Sequence, residues 1–384
     1  MRKVLARLLL LSFAAAPAET QAEALRVATY NADLTRTGAG RLLHDLGRAE
    51  LAADLATVVA VIQAVRPDVL FLAGFDHDFR GRALAAFVAR LAEGPDGIDY
   101  PHSFHPPGNA GRDSGHDLDG DALLMGWGDA LGWGRFPGHG DMALMSRLPL
   151  DAEGARSFRS LVWADLPWAG LPAHGDGRPW PDATAEAVRP LSSRAHWDVP
   201  VVLPDGGRLH VLAAYPTPPL FDGPEGLNRL RNRDEVAFWA HYLDGMAVAD
   251  DQGRLAGPPE APVVIVGDFN TDPVDGAGLK DGIARLLAHP RLRDPAPASR
   301  GAEAAAAAQG GANARHLGPA AQDTADWRDS GNGPGNLRVD YVLPDARLEV
   351  AGAGVFWPAP GEPLAEAVAE GPAHRLVWVD IVRP

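Results

Sequence analysis

The sequence predicts an α/β fold in which mixed β-sheets are covered by helices. Three observations carry this reading. Apolar runs of strand length outnumber the helical stretches. The first run is followed by an amphipathic stretch and a second run, a strand–helix–strand unit that calls for a parallel crossover. Later runs are joined by a tight polar turn, the mark of an antiparallel hairpin, so both kinds of pairing occur. The chain has 384 residues, 46% of them hydrophobic, with no internal repeat and no break in composition. One large domain over residues 25–384, carrying long insertions, is the economical reading.

Residues 1–24 stand outside that domain. Arg2 and Lys3 form a basic start, and Leu5 to Ala16 is mostly apolar. Ala16-Pro17-Ala18 or Thr20-Gln21-Ala22 suits a signal-peptide cleavage site. Pro17 and Glu19 end the run well short of the roughly 20 residues that span a bilayer. Export to the periplasm or the medium is therefore expected, and no later segment is long and apolar enough to cross a membrane.

Leu25 to Thr29 is a strand that runs into Tyr30-Asn31, and residues 32–48 look like a loop. In the helix over Ala49 to Val65, Leu51, Leu55, Val58, Val59, Ile62 and Val65 form one apolar stripe. Pro67 stops it, and Val69 to Leu72 is the next strand. Residues 84–93 are helical. Residues 94–140 are polar and rich in Gly and Pro. There Asp117-Leu118-Asp119-Gly120-Asp121 lacks the order of a calcium loop and has no Glu at its twelfth position, so it reads as an ordinary loop. His102, His105, His116 and His139 have no metal-site spacing and read as surface residues.

Met142 to Met145 is a strand, and residues 164–190 are a second insertion. Val199 to Leu203 and Arg208 to Ala214 flank Pro204-Asp205-Gly206-Gly207 as a hairpin. Residues 227–243 are helical. Residues 295–336, with five alanines from Ala304 to Ala308, read as a mobile surface segment. Arg338 to Leu343, Leu348 to Trp357 and Arg375 to Val382 close the chain as strands.

The chemistry gathers at strand ends. Val263 to Val266 is a short β-branched run stopped by Gly267 and followed by Asp268 and Asn270, which reads as a strand buried on both faces. If the strand geometry continues, Asp268 and Asn270 project from one side. Asn31 and Asp340 also end apolar runs, and His374 begins one. An Asp340–His374 pair would fix the imidazole tautomer and raise its basicity. Asn31 and Asn270 have amides suited to phosphate oxygens, and Asp268 could orient a water for in-line attack.

Cysteine is absent, which excludes disulfides and thiolate metal sites. The net charge is −15; residues 1–22 carry a net +2, so the mature chain carries −17. Such a surface disfavours nucleic acid unless a local basic patch or bound cations intervene.

These pieces resemble the endonuclease/exonuclease/phosphatase superfamily. The resemblance runs through Thr29-Tyr30-Asn31, Pro67 to Leu72, Met142 to Arg147, Gly267-Asp268-Phe269-Asn270, Arg338 to Val342, and His374. It implies a four-layer α/β/β/α sandwich with two mixed sheets. It also implies a divalent-metal site, Mg2+ or Mn2+, that hydrolyses phosphodiesters or phosphomonoesters. The insertions resemble an exported bacterial subgroup.

Three positions depart from the family pattern. Ala73-Gly74 stands where the family has Gln-Glu or Asn-Glu, and that Glu is its principal metal ligand. Pro372-Ala373-His374 replaces Ser-Asp-His. Tyr215-Pro216 stands where many members have a histidine, as in the abasic-site branch, whose Tyr can bind phosphate. Asp33, Asp76 and Asp78 are the candidate replacement ligands, although Asp76 lies about 6–7 Å along the strand from position 74. The expected site is therefore Asp268, Asn270, His374, Asp340, Asn31 and Tyr215, with Asp268, Asn31 and Asp76 facing any metal.

Three functions compete. The first is an exported phosphoesterase with a degenerate metal site. The second is a pseudoenzyme that binds without turnover, in which Gly74→Glu with Ala373→Asp would restore metal binding. The third is an unrelated β-rich carbohydrate-binding protein using its ten tryptophans.

Overall fold

The computed structural model describes residues 24–382. The expected leader lies outside the described residues except for Ala24, where the first strand begins. Two large mixed sheets form the centre. The first has the order β14 (Val350–Phe356), β15 (Leu376–Val382), β1 (Ala24–Leu34), β2 (Val69–Phe75), β4 (Asp141–Ser146), β3 (His102–Phe104). The second has the order β13 (Asp340–Pro344), β10 (Val263–Asp268), β7 (Arg208–Ala214), β6 (His196–Val202), β5 (Arg156–Ser157). Two small ribbons, β8 (Val248–Ala249) with β9 (Leu255–Ala256) and β11 (Ala325–Asp326) with β12 (Asn336–Leu337), complete the strands. Each large sheet holds one parallel pair, β1 with β2 and β10 with β7, among antiparallel neighbours.

The layers follow from side-chain alternation. Val27, Phe71, Met142, Leu144 and Val379 of the first sheet meet Trp197, Val199, Val211, Val264 and Val266 of the second in one central core. The opposite faces carry helices. Ala28, Tyr30, Leu70, Leu72 and Met145 pack under α2 (Ala53–Val65) and α3 (Arg82–Leu91), with α1 (Arg41–Leu46) and α8 (Ala365–Glu370) at the margins. Leu212, Ile265 and Leu343 pack under α5 (Leu227–Leu243) and α6 (Lys280–Leu287). This is the α/β/β/α sandwich, and it leaves no support for an unrelated β-rich carbohydrate binder. Trp163, Trp197 and Trp239 are fully buried, so these three pack in the interior.

Several expectations need correction. Residues 32–48 are not all loop: β1 extends to Leu34, because Ala32 and Leu34 continue the buried pattern, and α1 follows. Asn31 therefore lies inside β1, opposite Ala73, rather than beyond its end. Residues 295–336 are not a loose surface segment. Its alanines form α7 (Arg300–Gln309), as their high helix propensity favours, and Ser299 caps it by accepting from Gly301 N. Ala302 reaches the central core. The histidines of 94–140 are not all on the surface. His139 is buried, and neither ring nitrogen of His105 reaches solvent or a hydrogen-bond partner. The 164–190 insertion carries α4 (Ala183–Val188), capped by Asp182.

Candidate active site at the carboxyl end of the central strands

Strand β10 places the first group. At Gly267 a Cβ would lie 2.1 Å from the Ala214 carbonyl oxygen, so close packing against β7 demands glycine there. Asp268 follows at the strand end, fully buried, and pairs in register with Asp340 of β13. Its Oδ1 accepts from Asn270 N at 2.9 Å, and its Oδ2 accepts from Asn31 Nδ2 at 2.9 Å. His374 Nε2 lies 3.7 Å from Asp268 Oδ2, and His374 Nδ1 lies 2.9 Å from Asp340 Oδ2. Asn31 Nδ2 also reaches the Tyr215 hydroxyl at 3.3 Å. Five of the six expected residues, Asn31, Tyr215, Asp268, Asp340 and His374, thus form one connected, largely buried chain.

The electrostatics follow from burial and pairing. Burial pushes Asp268 up to about 6, opposed by the His374 charge. Burial alone would lower His374, but Asp340 and then Asp268 outweigh it, and the imidazole is raised to about 9. At neutral pH the cluster is an imidazolium held between two carboxylates. Burial raises the Tyr215 hydroxyl to about 12, so it is a neutral donor.

Asn270 departs from its expected placement. Its φ of +52° is left-handed, so the alternation of β10 does not extend to it. Its Nδ2 donates to Pro216 O at 3.1 Å, which makes it a brace between two strand ends.

The metal ligands proposed from the sequence are also redistributed. Asp76 is not beside Asp268 in a shared cluster. Its Oδ1 accepts from Gly140 N and its Oδ2 from Arg36 N, both at 2.9 Å. Asp78 caps the start of α3, accepting from Arg80, Arg82 and Ala83 N. Asn31 Oδ1 accepts from Asp33 N at 3.2 Å, and its Nδ2 already serves Asp268. Of the three replacement carboxylates only Asp33 is exposed, and its charge acts on His374 and Tyr215. Gly74 sits at φ +68° in a bulge of β2, where a Cβ would lie 2.5 Å from Asn31 Oδ1. This geometry opposes the simple restoration of a glutamate there.

Two groups among the described residues bring three ligand atoms within 4.8 Å of one another: Asp268, Asp340 and His374, and Asp117, Asp119 and Asp129. In the second, Asp117 and Asp129 turn their oxygens onto backbone N–H groups of their own loop. In the first, Asp340 Oδ1 is buried with no partner. Two carboxylates, one of them with that free oxygen, fit a divalent cation, and His374 could join them as a ligand only when its ring is deprotonated.

Sequence reading missed three contributors. Thr324 Oγ1 donates to Asp340 Oδ2 at 2.8 Å, and Trp327 stands edge-on to His374 with ring centroids 5.2 Å apart. Both come from the 295–336 segment, which also pairs Ala325 with His374. Arg194, two residues before β6, lies over the Tyr215 ring at 4.6 Å. No local signal marks Thr324 or Trp327, because their role depends on docking across the sheet.

A family model described as the endonuclease/exonuclease/phosphatase family matches residues 28–362. The chain belongs to that family. Its members are generally metal-dependent phosphoesterases. No curated protein matches the sequence. Among solved structures, an endonuclease/exonuclease/phosphatase from Beutenbergia cavernae is similar at 19% identity and a TM-score of 0.50, over 94% of this chain and 71% of that one. Sphingomyelinase C from Streptomyces griseocarneus is similar at 16% identity and a TM-score of 0.46, over 93% and 99%. The human nocturnin catalytic domain with bound sulfate is similar at 14% identity and a TM-score of 0.46, over 93% and 94%. The family member shares the fold of the Beutenbergia cavernae protein, and its substrate has to be argued from its own site.

Proposed function

We propose that this family member hydrolyses phosphoesters, as diesters or monoesters, at a degenerate divalent-metal site. The observation that carries the reading is the buried chain Tyr215–Asn31–Asp268–His374–Asp340. Asp268, raised by burial, accepts a proton from the attacking water. The His374 imidazolium, oriented by Asp340, faces the charge that develops on the phosphoryl oxygens. Tyr215, a neutral donor, steadies a phosphoryl oxygen. The carboxylates of Asp268 and Asp340 would hold Mg2+ or Mn2+, with the protonated His374 outside the ion's ligands, and the ion would supply Lewis-acid polarisation of the phosphoryl group when bound. With no carboxylate at Gly74 or Ala373, affinity for the cation is expected to be lower by about 10–100-fold for each.

The test is hydrolysis of bis-p-nitrophenyl phosphate and of DNA by the purified protein with added Mg2+ or Mn2+. Turnover that disappears in Asp268→Ala supports the reading, and turnover no higher than in that variant sinks it. The kcat/KM profile is expected to rise through pH about 6 as Asp268 ionises and to fall through about 9 as His374 loses its proton.

A second reading, a binding module without turnover, is favoured by the closed geometry at Gly74. It predicts phosphate binding with no hydrolysis at any metal concentration. Export is part of the proposal in both readings. N-terminal sequencing of protein recovered outside the cytoplasm should show cleavage near residue 18 or 22, and an intact Met1 would contradict it.

A further inference from the structure

Beside Tyr215 the cleft opens into a cavity of about 1010 Å³. The insertions supply part of its walls, with Trp127 and Trp133 from 94–140 and Trp180 from 164–190. Six arginines line it, and three of them, Arg36, Arg189 and Arg231, are already engaged. Arg36 pairs with Asp45 and Asp54. Arg189 donates to Leu118 O, and Arg231 donates to the carbonyls of Leu131, Pro190 and Leu191. Arg194, like Arg189 and Arg231, is buried and makes no salt bridge to a carboxylate among the described residues. What sets it apart is its place beside the cluster, where its hydrogen bond runs from Nε to Gly140 O at 3.2 Å. The Tyr215 ring lies beneath its guanidinium, and Tyr215 leads to Asp268 through two hydrogen bonds shared by Asn31.

A buried guanidinium with no carboxylate bonded to it is costly, and the nearby Asp141, whose charge Arg194 feels, turns its oxygens onto Gly108 N and Met142 N instead. Its planar fork matches a phosphate group, which can accept two parallel hydrogen bonds from it. Asn109 N donates to Arg194 O at 3.1 Å, so the insertion that walls the cavity also fixes this residue. The cavity is near the upper size of pockets that enclose small molecules. Trp127 and Trp133 line it yet remain 59% and 51% exposed, which leaves aromatic surface for a ligand.

We infer that Arg194 binds the phosphoryl group and that the insertion-walled cavity takes the organic arm of a small phosphoester bearing a flat ring. This rests on the phosphoesterase reading of the site and names its substrate class. Arg194 thereby adds fixed positive charge to a site that lacks the family's carboxylates at positions 74 and 373.

The experiment is calorimetric titration of the intact protein with methylphosphonate and phenylphosphonate, whose carbon–phosphorus bonds are not hydrolysed. Phenylphosphonate is expected to bind more tightly. Arg194→Met should weaken both ligands by about tenfold or more, and Trp133→Ala should weaken phenylphosphonate alone, by about three- to tenfold. Circular dichroism checks folding of each variant. If Arg194→Met does not fold, Arg194→Lys decides: it keeps charge but loses the fork, and both ligands should bind several-fold more weakly. Unchanged affinity in a folded Arg194 variant overturns the phosphate role, and equal affinity for the two phosphonates overturns the ring-bearing substrate class. A protein that binds both phosphonates as expected yet hydrolyses nothing supports this inference and removes the hydrolase reading.

Discussion

Strands β10 and β2 belong to different sheets, and both run as parallel partners toward the site. Both are β-branched or large apolar runs, and both are fully buried. Their ends differ. β10 closes with Gly267-Asp268 and delivers a carboxylate onto Asn31 and His374. β2 bulges at Gly74, where the family carries its glutamate, and the space a side chain would need holds the Asn31 amide. The scaffold and the polar groups at the end of β10 are in place, while the end of β2 offers no side chain at position 74. A fold can therefore be kept by its buried strands while the chemistry at one strand end changes, because the two depend on different residues.

The largest expected effect comes from breaking the β10 side. Asp268→Ala should reduce phosphoester turnover by about 10²–10³-fold or more, the scale on which a single group aimed at the transition state acts. Asp340→Asn acts one step away, on His374. It should lower turnover by about 10–100-fold and move the alkaline limb of the pH profile downward, since Asp340 is the strongest influence raising His374. A variant with the limb unmoved would show that Asp340 does not govern His374.

On the β2 side, Gly74→Glu sharpens the comparison. A side chain at φ +68°, with its Cβ 2.5 Å from Asn31 Oδ1, should cost about 1–3 kcal/mol of stability. It should yield no gain in Mg2+ affinity by calorimetry, even when combined with Ala373→Asp. A stable double variant with tight metal binding would show instead that the site had only lost its ligands. The smallest effect is expected for Thr324→Val, which removes one of two hydrogen bonds to Asp340 Oδ2. It should reduce turnover by roughly tenfold or less, with KM nearly unchanged.

How much of this was legible in the sequence depends on whether the signal is local. Residues 227–243 are read at the observed bounds of α5, and Val263 to Val266 as a strand that the structure extends to Asp268, because periodicity and a β-branched run are local properties. The strand-end residues of the site follow from the same runs. Asn270 was misplaced because its left-handed turn interrupts the alternation. Residues 295–336 looked loose because Gly and Ala are small. Their order comes from docking, with Ala302 in the core and Ala325 beside His374. Arg194 gave no signal, since its meaning lies in what it lacks, a carboxylate partner, and in Tyr215 stacked beneath it from the neighbouring strand.

The central claim is that Asp268, His374 and Asp340 form one coupled cluster of charge. NMR titration of the ¹⁵N-labelled His374 imidazole measures this most directly. A midpoint raised to about 9 that falls in Asp340→Asn and in Asp268→Asn is the predicted result. A midpoint near the ordinary histidine value of about 6.5, unmoved by either substitution, would contradict it.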